Sequence, residues 1–405
     1  MSSYQTKGRR PAPARMTPGE SIMAAFSETA AEMRETLHDK RRGVNVKLLM
    51  VILLLLVVGV LMMYSASYAY SYEYNNGDSG YFFRHQSIYA AIGLVLMFFA
   101  SLYPAEKYKS WTLPIFGLAF VLLVVVLFCP AINESHRWIP LGPFGTFQPS
   151  EVGKLALILF CATWATNHAK SMKTFKYGVL PFILAIMLIV GPVMLETHLS
   201  CAILMVLITG TLMFVGGMDW KWFAAAVGAG VAGVVLLLSG VFSYNSSRIT
   251  AYKDPFSDPL GAGWQNIQAL YAISSGGLFG QGIGQSHQKH LYISEPQNDF
   301  VFSVVCEELG FVGAVVIILL FCTLVVMGIN ISMNHPDRFC RLLGIGISAQ
   351  VGWQTLLNVA VVTKTIPNTG IGLPFFSAGG TAIVLILFEM GILLSISRDS
   401  RTRRI

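Results

Sequence analysis

Residues 48–65 read LLMVILLLLVVGVLMMYS, and this run decides the fold class. It contains no charged residue and approaches the roughly 20 apolar residues that a helix needs to cross a bilayer. Nine further runs with few or no charges follow it, at residues 86–103, 111–129, 149–167, 177–195, 197–218, 222–244, 301–329, 342–363 and 374–397. The sequence therefore predicts an all-α integral membrane protein with about ten transmembrane helices.

The composition excludes several other classes of protein. Of the 405 residues, 54% are hydrophobic and only 12% are charged, whereas about 25% of residues are charged in an ordinary soluble domain. A soluble enzyme and a disordered chain are both excluded. The net charge of +7 does not indicate nucleic-acid binding, because the basic residues cluster at the ends of the hydrophobic runs. The six cysteines lie in apolar stretches without ligand spacing, which is typical of small core residues.

The distribution of basic residues predicts the orientation of the chain. Ten spans place both termini on one side, and that side holds 21 of the 28 Lys and Arg residues. The termini are therefore expected in the cytoplasm. We expect a polar tail at 1–46, a membrane domain at 47–397 and a basic cytoplasmic tail at 398–405. The first tail does not resemble a secretory signal. Its residues 21–40 could form a helix against the membrane or a partner, or a solvated tether.

One external connection, at residues 245–300, is much longer than a simple link between two helices. It is rich in charged and amide side chains, which favours a functional surface over an inert cap. Within it, residues 276–284 read GGLFGQGIG. Backbone of this kind could form a turn or re-entrant segment, or could present N–H groups to phosphate oxygens.

Asp299 lies at the end of this loop, just before the apolar run at 301–329. A carboxylate held against apolar neighbours is suited to act as a general base. An N-terminal helix cap is an equally good reading of the same position. Glu307 and Glu308 lie about two turns further along and are expected to face the bundle interior rather than lipid.

Two charged residues fall inside the fourth hydrophobic run. Glu151 and Lys154 are spaced i, i+3 and can pair on one helix face. Because each charge costs roughly 3 kcal/mol at the centre of a membrane, pairing is the less costly arrangement. The pair is either a structural ion pair or part of the wall of a polar cavity. Arg137, in the preceding loop, could hold a phosphate group or serve as an interfacial anchor.

Several segments together resemble a known family. They are HQKHLY at 287–292, EPQND at 295–299, EELGF at 307–311, RWI at 137–139, QPSEVGK at 148–154, SGGLFG at 275–280 and GIGLPFFS at 370–377. Taken in their order along the chain, they resemble the SEDS family (shape, elongation, division and sporulation) over residues 45–398. The EPQND form is more similar to the division and sporulation members than to the elongation members.

The resemblance implies ten transmembrane helices in the bacterial plasma membrane and a peptidoglycan glycosyltransferase that polymerises lipid II. It also implies a class B penicillin-binding protein as the transpeptidase partner, together with other membrane proteins of the division machinery. The essential aspartate of the family corresponds to Asp299, and Glu151 and Lys154 would line the central cavity. The turn that usually reads Pro-Asp-Leu-Gly is Thr197-His198-Leu199-Ser200 here, so no role is assigned to His198.

The expected reaction requires one base and stabilisation of the charge on a departing pyrophosphate. The candidate cations are Arg137, Lys154, Arg248, Lys289 and Lys364. The resemblance also implies a divalent cation, Mg²⁺ or Mn²⁺, although the sequence shows no dedicated metal cluster. The alternatives are a lipid II flippase, which would give Asp299 no chemical task, and a scaffold that recruits enzymes. The sequence does not decide between division, sporulation and elongation, although division is favoured.

Overall fold

The computed structural model describes residues 43–130, 135–142, 145–196, 198–225, 228, 252–261, 263–368 and 370–400. The helices in these ranges are α1 (Val46–Tyr74), α2 (Tyr81–Leu102), α3 (Thr112–Val126), α4 (Pro149–Asn167), α5 (Phe175–Gly178), α6 (Leu180–Leu195), α7 (Leu199–Val215), α8 (Trp264–Ser275), α9 (Val301–Met333), α10 (Arg338–Val362) and α11 (Gly380–Asp399). Short 3₁₀ helices cover Ala105–Trp111 and Pro255–Ser257. One two-stranded antiparallel pair joins β1 (Ile139–Pro140) to β2 (Thr146–Phe147).

The all-α membrane fold is confirmed. Seven helical segments of the described ranges are long and apolar enough to span a bilayer. Nine of the ten hydrophobic runs coincide with helices of these ranges, including α4 and the 17-residue α7. The run at 222–244 lies mostly outside the described residues, so the count of ten stays a prediction. The tail at residues 1–42 and the last five residues lie outside them as well.

Local sequence explains where several helices begin. Asn45 precedes α1, and its side chain accepts a hydrogen bond from the backbone N–H of Leu48 at 3.1 Å. Asp337 caps α10 in the same way through the N–H of Cys340 at 2.9 Å. Pro149 stands in the first turn of α4, where its missing N–H costs nothing.

Small residues allow the helices to pack closely. α2 and α11 lie against each other along their lengths. A Cβ atom at Gly93 would lie 2.6 Å from a methyl carbon of Leu387, and one at Gly391 would lie 2.5 Å from the carbonyl oxygen of Met97. Because lipid tails are as apolar as side chains, close backbone approach of this kind contributes much of helix association in a membrane.

Helix α9 contains a break, and the glycine-dense loop forms hydrogen bonds with the helix backbone at that point. Gly310 has φ 68° and ψ −171°, so the helical hydrogen bonds are interrupted there. The carbonyl oxygens of Glu307 and Glu308 accept hydrogen bonds from the N–H groups of Gln281 and Gly282, both at 3.0 Å. In exchange, the N–H groups that follow Gly310 donate to the carbonyl oxygens of residues 277 and 278, at 2.9 and 3.1 Å.

This exchange decides between the two readings of residues 276–284. The segment is a turn docked onto α9, and the N–H groups of Gln281 and Gly282 already have protein acceptors. The interpretation as a phosphate-binding segment is therefore wrong for these two groups. Glycine is required at position 280 because the segment contacts the backbone of α9 there: a Cβ atom at Gly280 would lie 2.2 Å from the carbonyl oxygen of Glu308.

Candidate active site

The polar residues singled out by the sequence converge on one cavity of about 330 Å³. Its wall is formed by the segment around Arg137, the first turns of α4, the start of α7, the end of the long loop, and the segment that leads into α11. Arg137, Glu151, Lys154 and Asp299 all line it. Four site residues predicted from the sequence are therefore brought together, although they are separated by up to 162 positions along the chain.

Glu151 and Lys154 form the predicted ion pair, with Lys154 Nζ 2.8 Å from Glu151 Oε2. Both residues are buried and also line the cavity, so the two readings of the pair are compatible. Glu151 lies in the first turn of α4, where the positive end of the helix dipole favours a carboxylate. Lys154 Nζ also donates to Gln354 Oε1 at 3.3 Å, which connects α4 to α10.

Asp299 lies at the cavity wall two residues before α9 begins. Its backbone carbonyl accepts a hydrogen bond from Asn358 Nδ2 at 2.8 Å. Gly370 faces its carboxylate, since a Cβ atom there would lie 3.2 Å from Asp299 Oδ2. The capping residue of α9 is Phe300, without a side-chain cap. The capping position is therefore not Asp299, which contributes to the cavity wall.

A second carboxylate, Glu295, also lines the cavity. It has a left-handed backbone with φ 50°, and its Oε2 accepts a hydrogen bond from Asn298 Nδ2 at 2.8 Å. The sequence identifies Glu295 only as the acidic residue nearest to Asp299. The turn that brings both to one wall is visible only in the structure.

The guanidinium of Arg137 is directed toward the turn between α6 and α7. Its Nε donates to the carbonyl oxygen of Glu196 at 3.4 Å, and Ser135 Oγ donates to the same oxygen at 3.2 Å. Burial raises the pKa of Glu196 to about 8, although the nearby Arg137 lowers it. Burial, together with the charges of Arg137 and Lys154, lowers the pKa of His198 to about 3.

His198 is a cavity residue to which the sequence assigned no role. Its side chain is buried, and its low pKa keeps the imidazole neutral near pH 7. The signal available in the sequence was the departure of the turn from the family pattern. That departure marks the position but does not indicate that it faces the cavity.

Of the five candidate cations, only Arg137 and Lys154 line the cavity in the part of the chain that the structure describes. Lys289 is buried in an ion pair with Glu308, at 2.9 Å, and does not line the cavity. Lys364 follows the C-terminal end of α10, with φ 55°, and does not line it either. Neither residue lies at this cavity, so their assignment to substrate binding stays a prediction. Arg248 lies outside the described residues.

Comparison with known proteins supports one family. Residues 46–402 match the FtsW/RodA/SpoVE family model of cell cycle proteins. Stage V sporulation protein E of Bacillus subtilis (strain 168) is 39% identical over 333 residues, which cover 81% of this chain and 90% of that protein. A probable peptidoglycan glycosyltransferase FtsW of Geobacter sp. (strain M18) is 36% identical, over 80% of this chain and 89% of its own length.

Solved structures share the fold. One, described as structural coordination of polymerization and crosslinking by a peptidoglycan synthase complex, contains a chain with a TM-score of 0.71 and 26% identity, covering 89% of this chain and 99% of its own. Thermus thermophilus rod shape determining protein RodA has a TM-score of 0.64 and 25% identity, over 88% of this chain and 98% of its own. The chain therefore belongs to the FtsW/RodA/SpoVE family of cell cycle proteins, the SEDS family.

Proposed function

We propose that this chain is a peptidoglycan glycosyltransferase that polymerises lipid II into glycan strands. The proposal rests on one observation: Asp299 lies at the same cavity as two cations, Arg137 and Lys154, among apolar helices. The names of the FtsW relatives support the same activity. The substrate keeps its isoprenoid tail in the bilayer while its sugars enter the cavity.

Asp299 acts as the general base. It takes the proton from the 4-hydroxyl of the acceptor N-acetylglucosamine, whose oxygen attacks C1 of the donor N-acetylmuramic acid with inversion. The bond from C1 to the pyrophosphate oxygen breaks, and undecaprenyl pyrophosphate leaves with the electron pair. The product has a β-1,4 linkage. Because the leaving group is already good, catalysis depends on positioning, one base and charge stabilisation.

Arg137 and Lys154 stabilise the charge on the departing pyrophosphate. An Arg can bind phosphate oxygens through two parallel N–H donors, and a Lys adds a compact positive charge. Glu151 holds the Lys154 ammonium in place through the 2.8 Å ion pair. Two buried charges that are already paired lose little freedom when the substrate arrives.

A divalent cation, Mg²⁺ or Mn²⁺, would be held jointly by the substrate and the protein. The described residues contain no group of three or more His, Cys, Asp or Glu side chains suited to hold a metal ion. Asp299 and Glu295 at the cavity wall supply carboxylate oxygens, which these hard cations prefer. The pyrophosphate would provide further oxygen ligands, so the cation would bind weakly without substrate.

The proposed partner is a class B penicillin-binding protein, since the chain similar to this one in the solved synthase complex works beside a crosslinking activity. Other membrane proteins of the division machinery would join the same assembly in the plasma membrane.

The test is polymerisation of fluorescent lipid II by the full chain with its partner in lipid nanodiscs. Asp299→Asn keeps the shape of the side chain but removes the base, so the rate should fall at least about 100-fold. Asp254→Asn is the matched control, because Asp254 lies in the same loop, is exposed and retains a capping side chain. Chelation followed by titration with Mn²⁺ should suppress and restore the wild-type rate.

Each outcome decides between the candidate functions. Strands from wild type and Asp254→Asn, with none from a folded, partner-binding Asp299→Asn variant, would support the polymerase. Equal products from all three would remove Asp299 from the mechanism. If no chain forms polymer but both wild type and Asp299→Asn move lipid II across vesicle membranes, the flippase would replace the proposal. If the polymerisation rate is unchanged in the presence of chelator, the divalent cation has no role in the mechanism.

A further inference from the structure

A buried polar cluster joins α1, the long loop and α9 and is not used by the proposed mechanism. We call it the junction, and it consists of Ser65, Ser286, Lys289, Glu307 and Glu308. All five residues are more than nine-tenths buried. Ionised groups at such depth are costly unless every one of them is paired or hydrogen-bonded. Because burial of these charged groups costs free energy, the cluster is a candidate for a functional role.

The carboxylate of Glu307 holds the loop backbone. It accepts hydrogen bonds from Ser286 Oγ at 2.5 Å, from the N–H of His287 at 2.9 Å and from the N–H of Gln288 at 3.4 Å. These donors satisfy the buried carboxylate oxygens without a cation. Glu307 therefore fixes the start of the segment 286–289 against α9.

The carboxylate of Glu308 holds the loop and α1 together. It accepts from Ser65 Oγ at 2.6 Å and from Lys289 Nζ at 2.9 Å. Lys289 Nζ also donates to Ser65 Oγ at 3.1 Å. The Lys289 ammonium thus has two partners inside the protein, one on α9 and one on α1. Its charge is directed to these partners, and it does not line the cavity.

The junction is connected to Asp299 along two routes. Residues 301–309 are helical and run from Asp299 to Glu307 and Glu308, a distance of roughly 12 Å at 1.5 Å per residue. The nine residues 290–298 complete a closed loop between Lys289 and Asp299. One end of this short loop is held to α9 by the ion pair between Lys289 and Glu308, and the other end leads directly into the first turn of α9. Within it, the N–H groups of Ile293 and Asn298 are hydrogen-bonded to Gln288 and Glu295 carbonyl oxygens, at 3.0 Å each.

We propose that the junction is a positioning device for Asp299, and that Lys289 acts through Glu308 instead of binding substrate. This inference deepens the proposed function and rests on it, since the positioned residue is the general base of that reaction. Lys289, Glu307 and Glu308 are positioning residues and not catalytic ones. Displacement of a catalytic group by about 1 Å can reduce a rate by about 100-fold, so a rigid anchor has a direct effect on turnover.

The first experiment is steady-state kinetics on Lys289→Met, Glu308→Gln and the double variant, in the full chain with its partner. Each single variant should lower kcat at least about tenfold and leave KM for lipid II within about twofold. The double variant should be no slower than the slower single variant, because both changes remove the same interaction. Lys289→Arg retains the ion pair and should restore most of the rate. Lys253→Met, an exposed cation of the same loop, is the matched control and should match wild type.

A substrate-binding Lys289 would give the opposite pattern. KM would rise strongly with kcat unchanged, and the effects of Lys289→Met and Glu308→Gln would multiply in the double variant. Either result would overturn the inference.

The second experiment does not depend on activity. Hydrogen–deuterium exchange of the amides at 290–298 should be at least about tenfold faster in Lys289→Met than in wild type or Lys253→Met, with exchange in α2 and α11 unchanged. Unchanged exchange at 290–298 would overturn the positioning role. Exchange that rises throughout the chain would show a general folding role and would overturn it too. If wild type makes no polymer, the proposed function fails, but the exchange result still decides whether the junction orders this segment.

Discussion

At the scale of single residues, the turn between α6 and α7 contains two buried titratable groups, and a rise in pH changes their contributions to stability in opposite directions. The pKa of Glu196 is raised from 4.5 to about 8, so its contribution to stability is present below about pH 4.5 and is lost as the pH rises to 8. The pKa of His198 is lowered from 6.5 to about 3, so its contribution is present above about pH 6.5 and is lost as the pH falls toward 3. Between pH 4.5 and 6.5 the two effects oppose each other.

Replacing Glu196 by Gln should therefore change how stability depends on pH. Without a carboxylate to ionise, the variant should gain stability relative to wild type by about 1.4 kcal/mol per pH unit between pH 5 and 8. Thermal unfolding midpoints in nanodiscs, measured across this range, give the difference. Glu73→Gln is the control, since the Glu73 side chain is exposed. A difference between Glu196→Gln and wild type that stays constant from pH 5 to 8 would contradict the prediction.

At the scale of elements, the break in α9 depends on one residue that has no side chain. Gly310 has a positive φ of 68°, and a Cβ atom there would lie 2.2 Å from the backbone nitrogen of Gly280. Gly310→Ala should lower the free energy of unfolding by about 3 kcal/mol or more, because backbone strain and overpacking each cost about 1–3 kcal/mol. Unfolding in denaturant, followed by tryptophan fluorescence, measures this loss.

A glycine elsewhere provides the comparison for Gly310→Ala. Gly210 lies in α7, and a Cβ atom there would meet no atom within 4 Å outside its own helix backbone and chain neighbours. Gly210→Ala should change stability by less than about 1 kcal/mol, and in the stabilising direction, since Ala is the better helix former. Equal losses in the two variants would mean that the close approach of the loop to α9 does not determine the cost.

The elements differ in how far local sequence predicts them. The helices that contain hydrophobic runs were predictable because each run is long enough to span a bilayer by itself. The ion pair of Glu151 and Lys154 was predictable as well, because i, i+3 spacing places both on one helix face. The break at Gly310 was not, since it requires a loop 30 residues earlier in the chain to exchange hydrogen bonds with α9.

At the scale of the whole molecule, the orientation of the chain in the membrane remains a prediction that can be tested directly. A cysteine placed at Ser257, which is exposed in the long loop, should react with a membrane-impermeant maleimide in intact spheroplasts. A cysteine placed at Ser2 in the tail should react only after permeabilisation. Both variants are made with Cys129 and Cys322 replaced by Ser, since these native thiols are at least partly exposed. Labelling in the reverse order would overturn the cytoplasmic placement of the tail.

The sequence by itself determined the class of fold, the family and the identity of the residue proposed as the base. The free energy of transferring an apolar helix into a bilayer is roughly a sum of contributions from its own residues, so the sequence is sufficient to predict the membrane spans. Asp299 was recognisable for a related reason, because it is a carboxylate next to an apolar run and within a distinctive motif.

Only the tertiary structure decided which charged groups accompany Asp299. Arg137 and Lys154 reach the cavity, whereas Lys289 is paired with Glu308 and Lys364 lies elsewhere. All four are cations near apolar segments, and their sequence surroundings do not distinguish them. The difference arises from contacts between distant helices and loops, which decide whether a charged side chain lies at the cavity wall, as the paired Lys154 does, or away from it.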